Sequence, residues 1–320
     1  EVTKNLSLGI NGQDGILLSR LLTTQNQNLI GVGNQDFKSG NIPDSIPYFS
    51  VDIRETDKIL DLINHHEIGV IYNLSGLSSV AKSFADSKTT FEVNFDAVKS
   101  LLNALYDDKN NSSIRFFQSS SSEMFGSALN RTQNEQTPFN PQSPYAESKV
   151  KAHIVCQEFR NQGCFVSCGI LFNHESIFRP ETFVTRKITS SVARIRLGLQ
   201  EKLFVGNLDA ARDWGAAADY VDAIYRLMAH EVPDDFVIAT GESHTVKELI
   251  TFGLKTVHLE DRFESLIEID PNLLRKGDLK VTVGDAGKIF REIGWKATTT
   301  FEELISEMVQ FDLKLNNLNR

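Results

Sequence analysis

The stretch "GINGQDG", Gly9-Ile10-Asn11-Gly12-Gln13-Asp14-Gly15, follows the apolar run 5–8 and opens a segment with helical apolar spacing. Glycines three residues apart between a strand and a helix each have a task. Gly9 makes the tight turn, Gly12 lets backbone approach a pyrophosphate, and Gly15 lets helix and strand pack closely. The first N–H groups of the helix then face phosphate charge. The turn therefore reads as a dinucleotide-binding fingerprint.

Outward from this turn, short apolar runs alternate with helical patterns, the order expected of a parallel sheet with crossover helices. The predicted strands are 5–10, 29–33, 48–51, 69–74, 114–119 and 165–171, and the predicted helices are 13–22, 56–65, 89–106 and 144–161. Beyond residue 173 the loops lengthen. "FVTRKITSSVARIRLG" sets Val184, Ile188, Val192 and Ile195 on one helix face, and "DFVIATG" (235–241) reads as a strand returning to the first sheet. The expected fold class is α/β, a Rossmann-type doubly wound parallel sheet. Residues 1–170 form the NAD(P)-binding domain, and 171–320 form a smaller, intertwined substrate domain.

Bulk properties narrow the function. The 320 residues carry a net charge of −9, which argues against a nucleic-acid partner. No apolar run approaches the roughly 20 residues of a membrane helix, and the opening residues lack a signal-peptide pattern. Cys156, Cys164 and Cys168 do not complete a zinc spacing, so no metal is expected and the thiols read as reduced core residues of a cytoplasmic protein. His65-His66 end a predicted helix without a third ligand and read as solvated. Glu175 would be costly to bury alone, so it is expected to have a structural partner and no chemical role.

Near the cofactor's adenosine end the second strand runs into Asn34-Gln35-Asp36. An acid here favours a free ribose 2′-hydroxyl, and an arginine favours a 2′-phosphate. Asp36 lies a little late, and Lys38 is the nearby cation. "VDI" (51–53) places Asp52 on the adenine.

The chemistry-bearing residues come next. "SSSSEMFG" (119–126) ends an apolar strand in hydroxyls and a carboxylate, groups costly to bury unless used. "SPYAESK" sets Tyr145 and Lys149 four residues apart, on one face at a helix start. The lysine lowers the phenol's pKa, and the tyrosinate accepts a hydroxyl proton.

Together these motifs resemble those of extended short-chain dehydrogenase/reductases. The longer strings "YNLSGLSSVAKSF", "FFQSSSSEMFG", "GILFNHES", "FVTRKI", "GNLDAARDWG", "DYVDA" and "DFVIATGE" resemble the GDP-mannose 4,6-dehydratase family from about residue 5 to 310. The resemblance implies catalysis by Ser121, Glu123, Tyr145 and Lys149. It implies cofactor contacts from Gly9, Gly12, Gln13, Asp14, Gly15, Asp52, Ile53, Leu74, Ser75, Ser78, Tyr145, Lys149, His174 and Arg179. Asn173, Lys187, Arg212 and Arg275 resemble GDP-sugar contacts, Arg212 having the fork that suits phosphate oxygens.

The implied reaction oxidises C4 of the sugar, eliminates water across C5 and C6 with Glu123 as base and then acid, and returns hydride to C6. The implied cofactor is NADP. Asn34 and Gln35 stand where the family has arginines, which leaves NAD open. The connection 37–47 is shorter than the family's subunit-bridging segment, so the expected homo-oligomer is a dimer or a tetramer. Three other readings stand beside this one: dehydration of a GDP-heptose, a GDP-keto-sugar reductase or epimerase of the same fold, and a non-catalytic dinucleotide sensor. Glu123 argues against a simple reductase, and intact Ser121, Tyr145 and Lys149 argue against a sensor.

Overall fold

Leu6, Leu8, Ile71, Phe116, Phe117 and Val166 lie in apolar runs and have no exposed surface, because their strands are covered on both faces. The computed structural model describes residues 3–107, 113–128, 132–274 and 276–318. Its central sheet contains β1 (Lys4–Leu8), β2 (Asn28–Gly33), β3 (Tyr48–Ser50), β4 (Ile68–Asn73), β5 (Arg115–Ser121) and β6 (Val166–Leu171). A seventh strand, Asp235–Ile238, completes it in the order seventh-β6-β5-β4-β1-β2-β3. Every neighbouring pair is parallel.

Alternation along the strands divides the core. Phe116 and Ile71 join Leu101, Leu105 and Val155 on one face. Phe117 and Tyr72 join Ile16, Tyr220 and Ile224 on the other. Strand order reverses between β1 and β4, and such a switch point opens a crevice at the carboxyl ends of the strands. The turns after β1, β4 and β5 all emerge there.

The returning strand is held to the Pro144–Asn161 helix by polar groups as well as by packing. Asp235 accepts from Arg160 Nη2 at 2.7 Å and from Gln157 Nε2 at 2.7 Å, with His153 Nε2 at 3.2 Å. Ser120 Oγ lies 2.8 Å from His153 Nδ1, so the second of the four serines serves this network on the helix side of the sheet.

A third apolar cluster joins the helices Val184–Arg196, Val246–Thr256 and Phe301–Leu318 through Ile188, Val192, Ile250 and Ile305. Inside it Asp312, with no exposed surface, pairs with Arg186 and accepts from Thr189 Oγ1 at 3.0 Å. Removing one partner of a buried pair strands the other charge and costs about 3–5 kcal/mol. Asp312→Ala is expected to lower unfolding stability by that amount in a denaturant titration; an unchanged midpoint would show that the pair contributes nothing.

Several bounds differ from the sequence reading: β1 ends at Leu8 rather than 10, the returning strand ends at Ile238 rather than 241, and two further differences bear on the site. β5 runs to Ser121, so three of the four serines belong to the strand. The helix expected over 89–106 is Ser87–Phe91, a π-helical turn at Glu92–Asp96, and Ala97–Asp107. One inserted residue shifts the helical face and carries Asn94 into the interior, and π turns of this kind gather at functional sites. The Asn94 amide donates to Leu77 O at 3.1 Å and Ser148 Oγ at 3.2 Å, and its carbonyl accepts from Leu77 N at 2.8 Å. It thus clamps the segment after β4 to the Tyr145 helix.

Candidate active site

The glycine turn has the shape its spacing predicts. Gly9 has a φ of +81°, and a Cβ there would lie 2.8 Å from Ser75 Cα, so the turns after β1 and β4 touch backbone to backbone. A Cβ at Gly15 would lie 2.5 Å from Ile10 Cα, which only a glycine avoids. At Gly12 a Cβ would meet only the Gly9 carbonyl, at 3.4 Å. The middle glycine therefore faces open space at the start of the Gln13–Thr24 helix, and the cradle fits a phosphate-bearing dinucleotide.

β5 and the Pro144–Asn161 helix deliver the polar centre. Ser143 caps that helix by accepting from Ala146 N at 3.1 Å, and Pro144 fills the first turn, where its missing N–H costs nothing. Tyr145 and Lys149, one turn apart, are both buried. Lys149 Nζ donates to Ser119 O at 3.0 Å and lies 5.9 Å from the centre of the Tyr145 ring.

Ser121 ends β5 and caps a single 3₁₀ turn, Ser122–Phe125, by accepting from Glu123 N at 3.2 Å. Met124 and Phe125 are buried and anchor the turn, while Glu123 is half-buried. The Ser121 hydroxyl and the Glu123, Arg179 and Asp14 charges are all close enough to act on the Tyr145 phenol.

Burial dominates the electrostatics. It pushes the Tyr145 phenol up to about 12; the Ser121 hydroxyl and Arg179 pull it down, and Glu123 and Asp14 push it further up. Burial also lowers Lys149 to about 8, since the ammonium loses its hydration.

Asp14 and His174 join the glycine turn to the segment Asn173–Glu175. His174 Nε2 lies 2.8 Å from Asp14 Oδ2, and Nδ1 donates to Phe172 O at 2.7 Å. Burial would lower the imidazole, but the Asp14 carboxylate outweighs it and raises the His174 pKa. Burial acts the other way on Asp14, where His174 and Arg179 hold the carboxyl below its ordinary value. Gln13 Nε2 donates to His174 O at 3.0 Å and Gln13 Oε1 accepts from Ser176 Oγ at 2.7 Å. The Gln13 and Asp14 side chains thus hold the second half of the molecule. Glu175 has the partners its burial requires, Thr185 Oγ1 at 2.5 Å and Arg179 Nε at 3.1 Å.

Other named residues are distributed more widely. The Asp52 carboxylate is gripped by Arg54, through Nε at 2.9 Å and Nη2 at 2.8 Å, which leaves it turned to its own loop. Ile53 is buried. Leu74 N donates to Leu8 O at 3.0 Å, Ser75 Oγ donates to Asn73 Oδ1 at 2.5 Å, and Ser78 is exposed. Asn173 pairs with Trp214 in a short parallel ladder. Lys187 Nζ donates to Phe204 O at 2.8 Å. Arg212 Nη2 meets Asp278 Oδ1 at 2.6 Å and its Nη1 donates to Leu279 O at 2.7 Å, so much of its fork is already engaged. Arg275 lies outside the described residues.

Two contributors escaped the sequence reading, Asn94 and Asp213. Asp213, with no exposed surface, accepts from Thr240 N at 3.0 Å, Thr240 Oγ1 at 2.6 Å, Gly241 N at 3.0 Å and Gly284 N at 3.0 Å. It ties the end of the seventh strand to the 284 turn. "RDWG" was the available signal, but an acid between an arginine and a tryptophan does not announce three backbone partners. Trp214 itself packs flat against Phe301, with ring centres 5.9 Å apart.

A family model described as GDP-mannose 4,6 dehydratase matches residues 6–308. A relative from Arabidopsis thaliana named GDP-mannose 4,6 dehydratase 1 is 39% identical, covering 97% of this chain and 90% of its own length. The Homo sapiens GDP-mannose 4,6 dehydratase is 34% identical, with coverages of 99% and 93%. Among solved structures, a dTDP-glucose 4,6-dehydratase from Streptomyces venezuelae with NAD and TYD bound has a TM-score of 0.86 at 21% identity, covering 99% of this chain and 98% of that one. RMD from Pseudomonas aeruginosa complexed with NADPH has a TM-score of 0.82 at 23% identity, with coverages of 98% and 100%. At such identities the structural likeness speaks for the fold alone.

Proposed function

This chain belongs to the GDP-mannose 4,6-dehydratase family, and from that premise we propose that it is a hydro-lyase converting GDP-mannose to GDP-4-keto-6-deoxymannose. The observation that carries the reading is the meeting of Ser121, Glu123 and Lys149 around the buried Tyr145. A proton acceptor for a hydroxyl and a separate carboxylate sit at one place, which oxidation alone does not require.

A nicotinamide dinucleotide on the glycine turn would supply the hydride acceptor for C4 and the donor for C6. Gly9, Gly12 and Gly15 shape its phosphate cradle, and Lys149 serves its ribose. The chain's own residues move the protons. Tyr145, as phenolate, takes the C4 hydroxyl proton, and Ser121 holds that oxygen in line. The resulting ketone makes the C5 proton acidic, and Glu123 removes it. Protonated Glu123 then delivers that proton to the departing C6 hydroxyl, so water leaves and the carboxylate is restored; as C6 is reduced, C5 takes up the solvent-exchangeable proton that Tyr145 accepted, and the phenolate is restored. Positioned acid–base groups of this kind contribute about 10²–10⁴-fold each.

We divide the labour near residue 170: the first part holds the dinucleotide, the remainder the GDP-sugar, with Asn173, Lys187, Arg212 and Arg275 as contacts to the substrate. Arg212 would share its fork between Asp278 and a phosphate. We place the enzyme in the cytoplasm as a homo-oligomer; among the described residues no helix is long and apolar enough to cross a membrane. Incubation with GDP-mannose in deuterated water tests the whole reading. The product is expected to have lost one water and gained deuterium at C5. An unlabelled C5, or stoichiometric consumption of cofactor, would replace elimination by a simple reduction.

A further inference from the structure

We propose that this chain selects a dinucleotide with a free adenosine 2′-hydroxyl, and that Asp36 is the residue that rejects a 2′-phosphate. The proposal rests on the reading that the glycine turn binds a dinucleotide. By sequence Asp36 stands three residues beyond Gly33, the last residue of β2. The chain folds back to correct this. Asp36 Oδ1 accepts from Ser50 Oγ at 3.4 Å, and Ser50 is the β3 residue in register with Gly33. The carboxylate therefore lies beside the carboxyl end of β2, where an acid hydrogen-bonds a ribose hydroxyl and an arginine accommodates a phosphate.

Neutral groups fix that placement. Asn11, inside the glycine turn, donates to Gln35 Oε1 at 2.7 Å and Phe37 O at 2.9 Å, and accepts from Ser39 N at 2.9 Å. Tyr48 OH donates to Gln35 O at 2.5 Å. The connection carrying Asp36 is thus tied directly to the phosphate cradle.

Three cations on the flanking elements have partners of their own, Lys38 through all of its donors. Lys38 is the single basic residue between positions 21 and 53. Its ammonium has three donors, and they go to three backbone carbonyls: Pro43 O at 3.0 Å, Asp44 O at 3.1 Å and Ile46 O at 3.0 Å. Turning Lys38 toward a phosphate would break the loop that it closes. Arg54 is held by Asp52 and, at 3.3 Å, by Glu92. Arg20 has Nε on Asn41 O at 2.9 Å and lies over the Phe178 ring. A 2′-phosphate would meet a carboxylate that has no ion-pair partner among the described residues, and like charges so placed are a strong device against a wrong ligand.

The test reads binding rather than turnover. Nucleotide released from the purified protein is identified by mass, and nucleotide-stripped protein is titrated with NADH and NADPH by nicotinamide fluorescence. NADH is expected to bind on the order of 10- to 100-fold more tightly. Asp36→Arg should bring the preference to parity or invert it, and Asp36→Asn should weaken NADH while strengthening NADPH. Equal or tighter binding of NADPH by the unaltered protein overturns the proposal and leaves the dehydratase reading intact. Binding of neither nucleotide overturns both.

Discussion

Glu123→Gln is expected to stop water loss while leaving the first oxidation in place. The amide keeps the size and the position of the carboxylate, so the 3₁₀ turn anchored by Met124 and Phe125 need not change. It cannot accept the C5 proton, and it has none to give to the C6 hydroxyl. Dehydrated product should fall by about 10²–10⁴-fold, the range for a positioned acid–base group. Deuterium incorporation at C5 should fall with it. Because C4 oxidation depends on Tyr145 and Ser121 instead, reduced nicotinamide should accumulate when the variant meets substrate, a signal the wild type shows only in passing. The substitution also removes a negative charge that pushes the Tyr145 phenol up, so the phenol pKa should fall. Mass analysis of the product and nicotinamide absorbance read these effects in one sample. Product formation at the wild-type rate would remove Glu123 from the mechanism.

The architecture was legible because it depends on period and punctuation. Apolar runs bounded by turns announced parallel strands, and glycines at 9, 12 and 15 announced a turn whose backbone contacts at Gly9 and Gly15 are too close for a Cβ. The i, i+4 spacing of Tyr145 and Lys149 survives intact in a regular helix. What stayed hidden depends on partners far apart in sequence. The π turn at Glu92–Asp96 differs from a straight helix by one residue, which a 3.6-residue period tolerates without trace. Asp213 is bonded across 27 residues to Thr240 and 71 to Gly284, and its neighbours in sequence say nothing of them. Arg212 shows the same limit. Its suitability for phosphate is a property of the side chain, while its engagement with Asp278 is a property of the fold. Asp36, judged late by counting, returns to the strand end because Asn11 and Ser50 draw its loop back.

Tyr145→Phe should fail one step earlier than Glu123→Gln. The substitution removes one oxygen and keeps the ring, so helix packing against β5 should persist. Without the phenol nothing takes the C4 hydroxyl proton, and Lys149, held by Ser119 O, cannot replace it in that position. Turnover should fall by about 10²–10⁴-fold, with neither reduced nicotinamide nor C5 exchange, since the C5 proton becomes acidic only after C4 is oxidised. This contrast separates the two roles: one variant reduces nicotinamide and stalls, the other does not begin. The wild-type pH profile carries the same logic. Burial holds the phenol up near 12, so the phenolate fraction, and with it the rate, should climb about tenfold per pH unit from neutrality. The climb should bend over near pH 8, where buried Lys149 gives up its proton and the site loses a positive charge. A rate independent of pH across that interval, or a Tyr145→Phe protein that still reduces nicotinamide at the wild-type rate, would assign the first proton transfer to another residue.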